Sequence, residues 1–285
     1  MGMPLAAVEF LSGYDGSACA AAKADMEARG FARVSRDVFG ADQVFADAFA
    51  DLVAFSGTLP SDPYGQKTGR KRVFGKAVHH PDLPTPGNLV FQRERTYAFN
   101  GETGVAYGQP GERNPEHGGA YRVMKGLPES LFDNAALLRM IAFFFDAVPC
   151  DEDTKREAMQ VGVHIVRMEP SAEMPSVASP DHIHCDGEPF TCAVLLDRAD
   201  VEGGTNYITP TSYEGKKPED VPQEDILAEF TLEQPLDGYV VVDSRVAHYV
   251  SAVARANPDV MGYRTILLIE FVPLQPSFVK PETSS

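Results

Sequence analysis

Asp181-His182-Ile183-His184-Cys185-Asp186-Gly187-Glu188 places an imidazole and a carboxylate two positions apart, at His184 and Asp186. On a β-strand such residues project to one face while the residue between them points away. Ser244-Arg245-Val246-Ala247-His248 supplies a second imidazole much later in the chain. Two histidines and one carboxylate on one face of a metal, with the remaining positions open, select non-heme Fe(II) and leave room for oxygen and a chelating co-substrate. The expected ligands are His184, Asp186 and His248. The first two should share a strand, with His248 arriving from another strand of the same barrel.

His80-Pro81-Asp82 repeats the spacing. Its neighbouring prolines argue for a loop, and a loop does not hold two ligands in strand register. His182 lacks the third-position carboxylate that completes the His184 frame, so it is read as a neighbour of the metal site or a surface residue. Cys185 is read as a small buried filler.

Around the ligands the chain alternates strand patterns with turns. Phe190 to Leu196, Gly203-Gly204-Thr205-Asn206-Tyr207-Ile208, Leu236 to Asp243 and Tyr263 to Phe271 each fit a turn or a short strand. The expected fold is mainly β with N-terminal helices, its core a double-stranded β-helix, or jelly roll, of cupin type. Arg264 stands near the start of the last strand. Iron enzymes that use 2-oxoglutarate need a cation for its distal carboxylate, and a guanidinium is a rigid two-pronged donor for it. Thr265 would point to the opposite face.

The stretch from Val161 to Val272 resembles the Fe(II)/2-oxoglutarate dioxygenases that hydroxylate free amino acids, in particular the bacterial isoleucine dioxygenase group. The resemblance rests on Gly162-Val163-His164-Ile165-Val166-Arg167, His184-Cys185-Asp186-Gly187-Glu188-Pro189, Gly203-Gly204-Thr205-Asn206, His248-Tyr249-Val250 and Arg264 to Phe271. Upstream, Tyr64-Gly65 with Arg70-Lys71-Arg72, and Gly118-Gly119 with Arg122, also match. The chain departs at Thr265, where an acidic residue often follows the arginine. The resemblance implies Fe(II), 2-oxoglutarate and O2, with succinate and CO2 as co-products. Related halogenases lack the carboxylate ligand, so Asp186 favours hydroxylation.

A free amino acid brings a carboxylate and an ammonium, and either left unpaired in a closed site costs several kcal/mol. Arg122 is the first candidate for the carboxylate, then Arg72 and Arg167. Glu188 is the candidate for the ammonium if the ligand strand stays regular, and His164 is a candidate polar contact. Asn206 is a candidate for co-substrate or substrate. The substrate is expected to be aliphatic or a cyclic imino acid such as pipecolate or proline. Competing readings are a hydroxylase of peptide- or carrier-bound residues, a cupin-like iron protein that does not use 2-oxoglutarate, and a non-catalytic binder.

Composition narrows the partners. The 285 residues carry 25 basic and 41 acidic side chains, a formal charge of -16. Such a surface repels nucleic acid and anionic membranes. There is no apolar run of membrane length and no secretion signal, and four cysteines lack zinc-type pairing. A cytoplasmic location is expected, with the oligomeric state open and a homodimer compatible. With 44% hydrophobic residues the chain suits one catalytic domain over 1–285, with a helical part over about 1–60 and a jelly roll over about 64–274. A helical insertion is expected over about 128–160.

Helices are expected over Ala18 to Gly30, Asp42 to Ser56 and Glu129 to Val148. Asn88 to Phe99 alternates like a strand, Gln109 to Gly119 reads as a loop and Lys216 to Gln223 as a mobile lid or surface insertion. The tail after Pro273 is expected to fray.

Overall fold

A computed structural model describes residues 13–40, 42–81, 83, 89–91, 97–99, 102–108 and 121–274. Asp82, the loop over Gln109–Gly119 and the tail from 275 lie outside the described residues.

Helix α1 spans Gly16–Arg29. The Asp15 side chain accepts from the Ser17 and Ala18 amides at its start, and Gly30 closes it in the left-handed region. Helix α2, Gln43–Ser56, is capped in the same way by Asp42. Caps of this kind contribute about 1 kcal/mol each. Between the two helices Phe31–Val34 forms strand β1, which four residues of ordinary composition did not reveal. The helix expected over Glu129 to Val148 is broken. A 3-10 turn over Glu129–Asp133 ends at Asn134, whose side chain accepts from the Ala136 and Leu137 amides and starts α3, Ala135–Ala147. A short α4 follows at Glu152–Arg156.

The remaining strands are β2 Arg70–His79, β3 Leu89–Phe91, β4 Tyr97–Phe99, β5 Glu102–Gly108, β6 Tyr121–Lys125, β7 Met159–Met168, β8 Phe190–Ala199 and β9 Val201–Gly203. They continue with β10 Thr205–Thr209, β11 Ala228–Thr231, β12 Gly238–Val242, β13 Ala247–Val250, β14 Val253–Arg255 and β15 Tyr263–Pro273. A seven-stranded antiparallel sheet runs β1-β12-β8-β15-β7-β2-β3, and a smaller sheet runs β11-β10-β13. The single strand expected over Asn88 to Phe99 is two, because β3 pairs with β2 whereas β4 pairs with β5.

Alternation gives the large sheet two unlike faces. Val161, Val163 and Ile165 of β7, Val194 and Leu196 of β8, and Leu267, Ile269 and Phe271 of β15 pack with the three longer helices in one core. From the other face, Leu195, Tyr239 and Ile266 meet Ile208 of β10 and Phe230 of β11, which closes the two sheets into a sandwich. The rest of that inner face carries Arg72, His164, Thr191, Arg264 and Glu270, all buried. Polar groups on a buried sheet face call for partners or ligands.

Candidate metal centre

His184 and His248 face one another as an antiparallel bridge, each backbone amide donating to the other's carbonyl at 2.9 Å. His248 lies on β13, so the distal ligand does come from another strand. The strand expected through His184 and Asp186 is absent, since pairing there stops at this single bridge. Other contacts hold the segment. Ile183 exchanges backbone bonds of 2.8 Å with Gly215 and Lys216, and Lys217 pairs with Asp181 at 2.8 Å. The segment read as a lid is thus tied, at its start, to the ligand-bearing stretch.

Asp186 is clamped from behind. The Asp243 carboxylate accepts from the Asp186 amide at 2.7 Å and the Gly187 amide at 2.8 Å, and Thr191 donates to Asp186 Oδ2 at 3.0 Å. The result is convergence: Asp186 Oδ1 lies 3.4 Å from His184 Nε2, and its Oδ2 lies 3.4 Å from His248 Nε2. Ligand atoms of all three residues fall within 4.8 Å of one another. His184 Nδ1 lies 2.8 Å from the His182 carbonyl. A carbonyl only accepts, so Nδ1 carries the proton and the Nε2 lone pair turns inward.

Burial alone would raise the Asp186 carboxyl, but His248, His184 and the Thr191 hydroxyl hold it well below the usual carboxylate range. Burial disfavours charge on His184, yet Asp186 and the His182 carbonyl raise its affinity for a proton. Burial pushes His248 down to about 4, with Asp186 opposing and His184 assisting. An ionised carboxylate between two inward-facing imidazoles is the donor set that suits divalent iron.

The cavity over this cluster has two further sets of charges. At one end Arg264 is 3% exposed and its Nε has no hydrogen-bond partner. Burial brings the guanidinium down to about 10, with Tyr239 opposing and Arg198 adding to the effect. Gly204 makes room for it, because a Cβ there would stand 2.9 Å from Arg264 Cδ and Nε. A buried cation cradled against glycine fits a carboxylate ligand such as the distal end of 2-oxoglutarate. Asn206 lines the same cavity and commits its amide nitrogen to the Gly204 and Phe230 carbonyls.

The other set lies around β2 and β7. Arg72, Arg122 and Tyr107 line the cavity, and both guanidiniums sit over the Tyr107 ring at 5.3 and 5.0 Å. Arg70 is neutralised by buried Asp62 at 2.8 Å. His164 is completely buried and stands behind the lining, stacked on Phe74. Arg167 is outside the cavity: it pairs with Glu169 at 2.6 Å, reaches Thr265 at 3.3 Å and lies 3.6 Å over the Tyr263 ring. Glu188 does not line the cavity either, and among the described residues its side chain meets the Tyr107 hydroxyl, at 3.5 Å. In its place Glu270 of β15 reaches the cavity wall. Asp243, Tyr239 and Glu270 were missed in the sequence, although Glu270 shares strand parity with Arg264.

The 2OG-Fe dioxygenase family model matches residues 54–270. L-isoleucine-4-hydroxylase of Bacillus thuringiensis is 23% identical over 249 residues, which cover 87% of this chain and 92% of that one. Among solved structures, IDO from Bacillus thuringiensis aligns with a TM-score of 0.67 at 19% identity, over 92% of this chain and 97% of that chain. A bsmA homolog from Methylobium petroleophilum PM1 aligns at 0.65 and 20% identity, over 91% and 96%. These structures share the double-stranded β-helix fold. The family match spans most of the chain and contains every donor of the His-Asp-His cluster, so the chain belongs to the 2OG-Fe dioxygenases, which use Fe(II), 2-oxoglutarate and O2.

Proposed function

We propose that this dioxygenase hydroxylates an unactivated carbon of a free L-amino acid, aliphatic or cyclic, giving the hydroxyamino acid, succinate and CO2. One observation carries the reading: a single cavity holds the iron donors, a buried guanidinium at Arg264, and a separate group of charged residues around Arg72 and Arg122. Two carboxylate-bearing molecules therefore have a cation each. The relative named L-isoleucine-4-hydroxylase supports an aliphatic amino acid as the second of them.

His184, Asp186 and His248 would hold the iron, and Arg264 would fix the distal carboxylate of 2-oxoglutarate. Bound there with 2-oxoglutarate and O2, iron would supply the oxidising power to replace a C–H hydrogen by hydroxyl, one oxygen atom of O2 going to the product and the other to succinate. The chain's own contribution is positioning and exclusion of water. Asp243 and Thr191 keep Asp186 turned toward the imidazoles, while Ile266 and Leu268 give the cavity an apolar wall for an aliphatic side chain. Holding the reacting carbon against this wall would lower the orientational part of the barrier.

The test is anaerobic loading with Fe(II), addition of O2 and 2-oxoglutarate, and measurement of succinate and a one-oxygen mass gain over a panel of free amino acids. Matching yields of the two establish the reaction. Succinate that no free amino acid stimulates would refute the substrate class.

A further inference from the structure

His164 separates a guanidinium from a carboxyl group, Arg72 from Glu270. Its Nδ1 lies 2.8 Å from Arg72 Nη2 and 3.2 Å from Arg72 Nε, and its Nε2 lies 3.0 Å from Glu270 Oε1. Guanidinium nitrogens only donate, so Nδ1 is the acceptor and the ring proton sits on Nε2, toward Glu270. The imidazole is neutral: burial, then Arg72 and Arg122, push its pKa well below the ordinary value. It thus holds the guanidinium and the carboxyl group apart without an ion pair between them.

Both outer groups face the cavity and the imidazole does not. Among the described residues, Arg72 meets no carboxylate within ion-pair distance, and Glu270 meets no lysine or arginine nitrogen. Glu270 is only 6% exposed. Its position is specifically accommodated, since it lies opposite Gly162 on β7, where a Cβ would stand 2.7 Å from its Oε2. A buried carboxylate with no directly paired cation is costly, and Arg72, Lys76 and Arg122 offset this only from a distance. Burial pushes the Glu270 carboxyl up, and Asp186 adds to the shift. Such a group gains most from a ligand cation. An amino acid's own two charged groups, with a hydrogen bond at each end, span about the same gap as the imidazole that lies between Arg72 and Glu270.

We infer that Arg72 and Glu270 form a zwitterion-reading subsite, in which Glu270 accepts the substrate's ammonium and Arg72 donates to its carboxylate, with His164 as the positioning residue between them. This rests on the free amino acid reading above and sharpens it. A primary or secondary ammonium is required, so N-acylated, peptide-bound and des-amino molecules are rejected. It also moves the ammonium from Glu188 to a residue on a different strand.

The experiment is calorimetry under nitrogen with the full chain, Fe(II) and 2-oxoglutarate. L-isoleucine, L-leucine, L-proline and L-pipecolate are each compared with the des-amino carboxylic acid and the N-acetyl derivative. The wild type should prefer the amino acid by about 30-fold or more, the loss expected when one partner of a buried charge pair is removed. E270Q should shrink that preference to within about threefold while 2-oxoglutarate still binds, and E188Q should retain it. If E270Q loses 2-oxoglutarate binding, G162A displaces the same carboxylate, and an undiminished preference there overturns the assignment. A preference kept by E270Q overturns it too, whether or not E188Q loses it, and leaves the hydroxylase reading standing. Wild-type protein that binds 2-oxoglutarate but none of the four amino acids overturns both.

Discussion

Removing the Asp243 carboxylate should loosen the metal without emptying the fold. Asp243 is 5% exposed and accepts two backbone amides, from Asp186 at 2.7 Å and Gly187 at 2.8 Å. In D243A both amides lose a charged acceptor. Leaving a buried donor unsatisfied costs about 1–3 kcal/mol, so two would cost about 2–6 kcal/mol if nothing moved. The segment is not part of a regular strand, so it should relax, and Asp186 should then leave the two imidazoles. The penalty is expected as weaker metal binding, about 10–100-fold, the range typical of lost outer contacts to a ligand. D243N should fall between, because its amide keeps one acceptor oxygen and turns a donor toward the other N–H. Anaerobic titration with Co(II) against a competing chelator reads the dissociation constant directly, and turnover at saturating Fe(II) should recover much of the wild-type rate. If D243A binds metal as tightly as the wild type while D186A does not, the clamp is irrelevant and the reasoning fails.

Replacing Arg264 by methionine should raise the dissociation constant for 2-oxoglutarate about 100-fold, since a buried two-pronged contact to carboxylate is lost. R264K should recover only part, and succinate should rescue neither; a change below about threefold in R264M would show that another group holds the distal carboxylate. Metal removal should lower thermal stability: Fe(II) or Zn(II) at a hundredfold over its dissociation constant contributes about 2.7 kcal/mol, or roughly 5–10 °C for a chain of this size. H248A should abolish that increment in a chelator-controlled melt. Without a bound cation, burial and Asp186 raise the Glu270 carboxyl above its ordinary value of 4.5, with Arg72, Lys76 and Arg122 opposing. The native state therefore binds a proton that the unfolded state releases, and metal-free stability should fall as pH rises from 4.5 toward the native value. Denaturant unfolding of E270Q should give a flatter slope over that window, and an unchanged slope would exclude Glu270 as its source.

The convergence of His184, Asp186 and His248 was legible from their chemistry and spacing, and the cavity-facing place of Arg264 from strand parity. Arg264 faces the cavity and Thr265 bonds Arg167 on the other side, as alternation requires. Parity misled at Glu188, where the count was carried forward from Asp186 through a stretch with no continuous strand and with Gly187 in the left-handed region. The same count carried along β15 from Arg264 leads to Glu270 without interruption. Asp243 had no such signal, since a side chain that binds backbone amides leaves no periodic mark. The N-terminal region was read as helical, and both helices are present, but β1 between them was too short to stand out. It became a strand by pairing with β12, a partner two hundred residues away in register from Phe31↔Val241 to Val34↔Gly238.

Charge on the inner face is concentrated at a few positions of β2 and β15 that line the cavity. Arg264 and Glu270 lie at opposite ends of the cavity-facing run of β15, six residues apart, or roughly 20 Å at strand rise. Neither has an ion-pair partner among the described residues, and Arg72 across the sheet is in the same position. A protein selected for stability alone would pair such groups or replace them with apolar ones. Here the large apolar core on the opposite face, with Leu267, Ile269 and Phe271 of the same strand packed against the helices, offsets the cost. One strand thus stabilises the fold with its odd-numbered side chains and lines the cavity with its even-numbered ones. A substitution that shifts its register by one residue would therefore destroy both functions together.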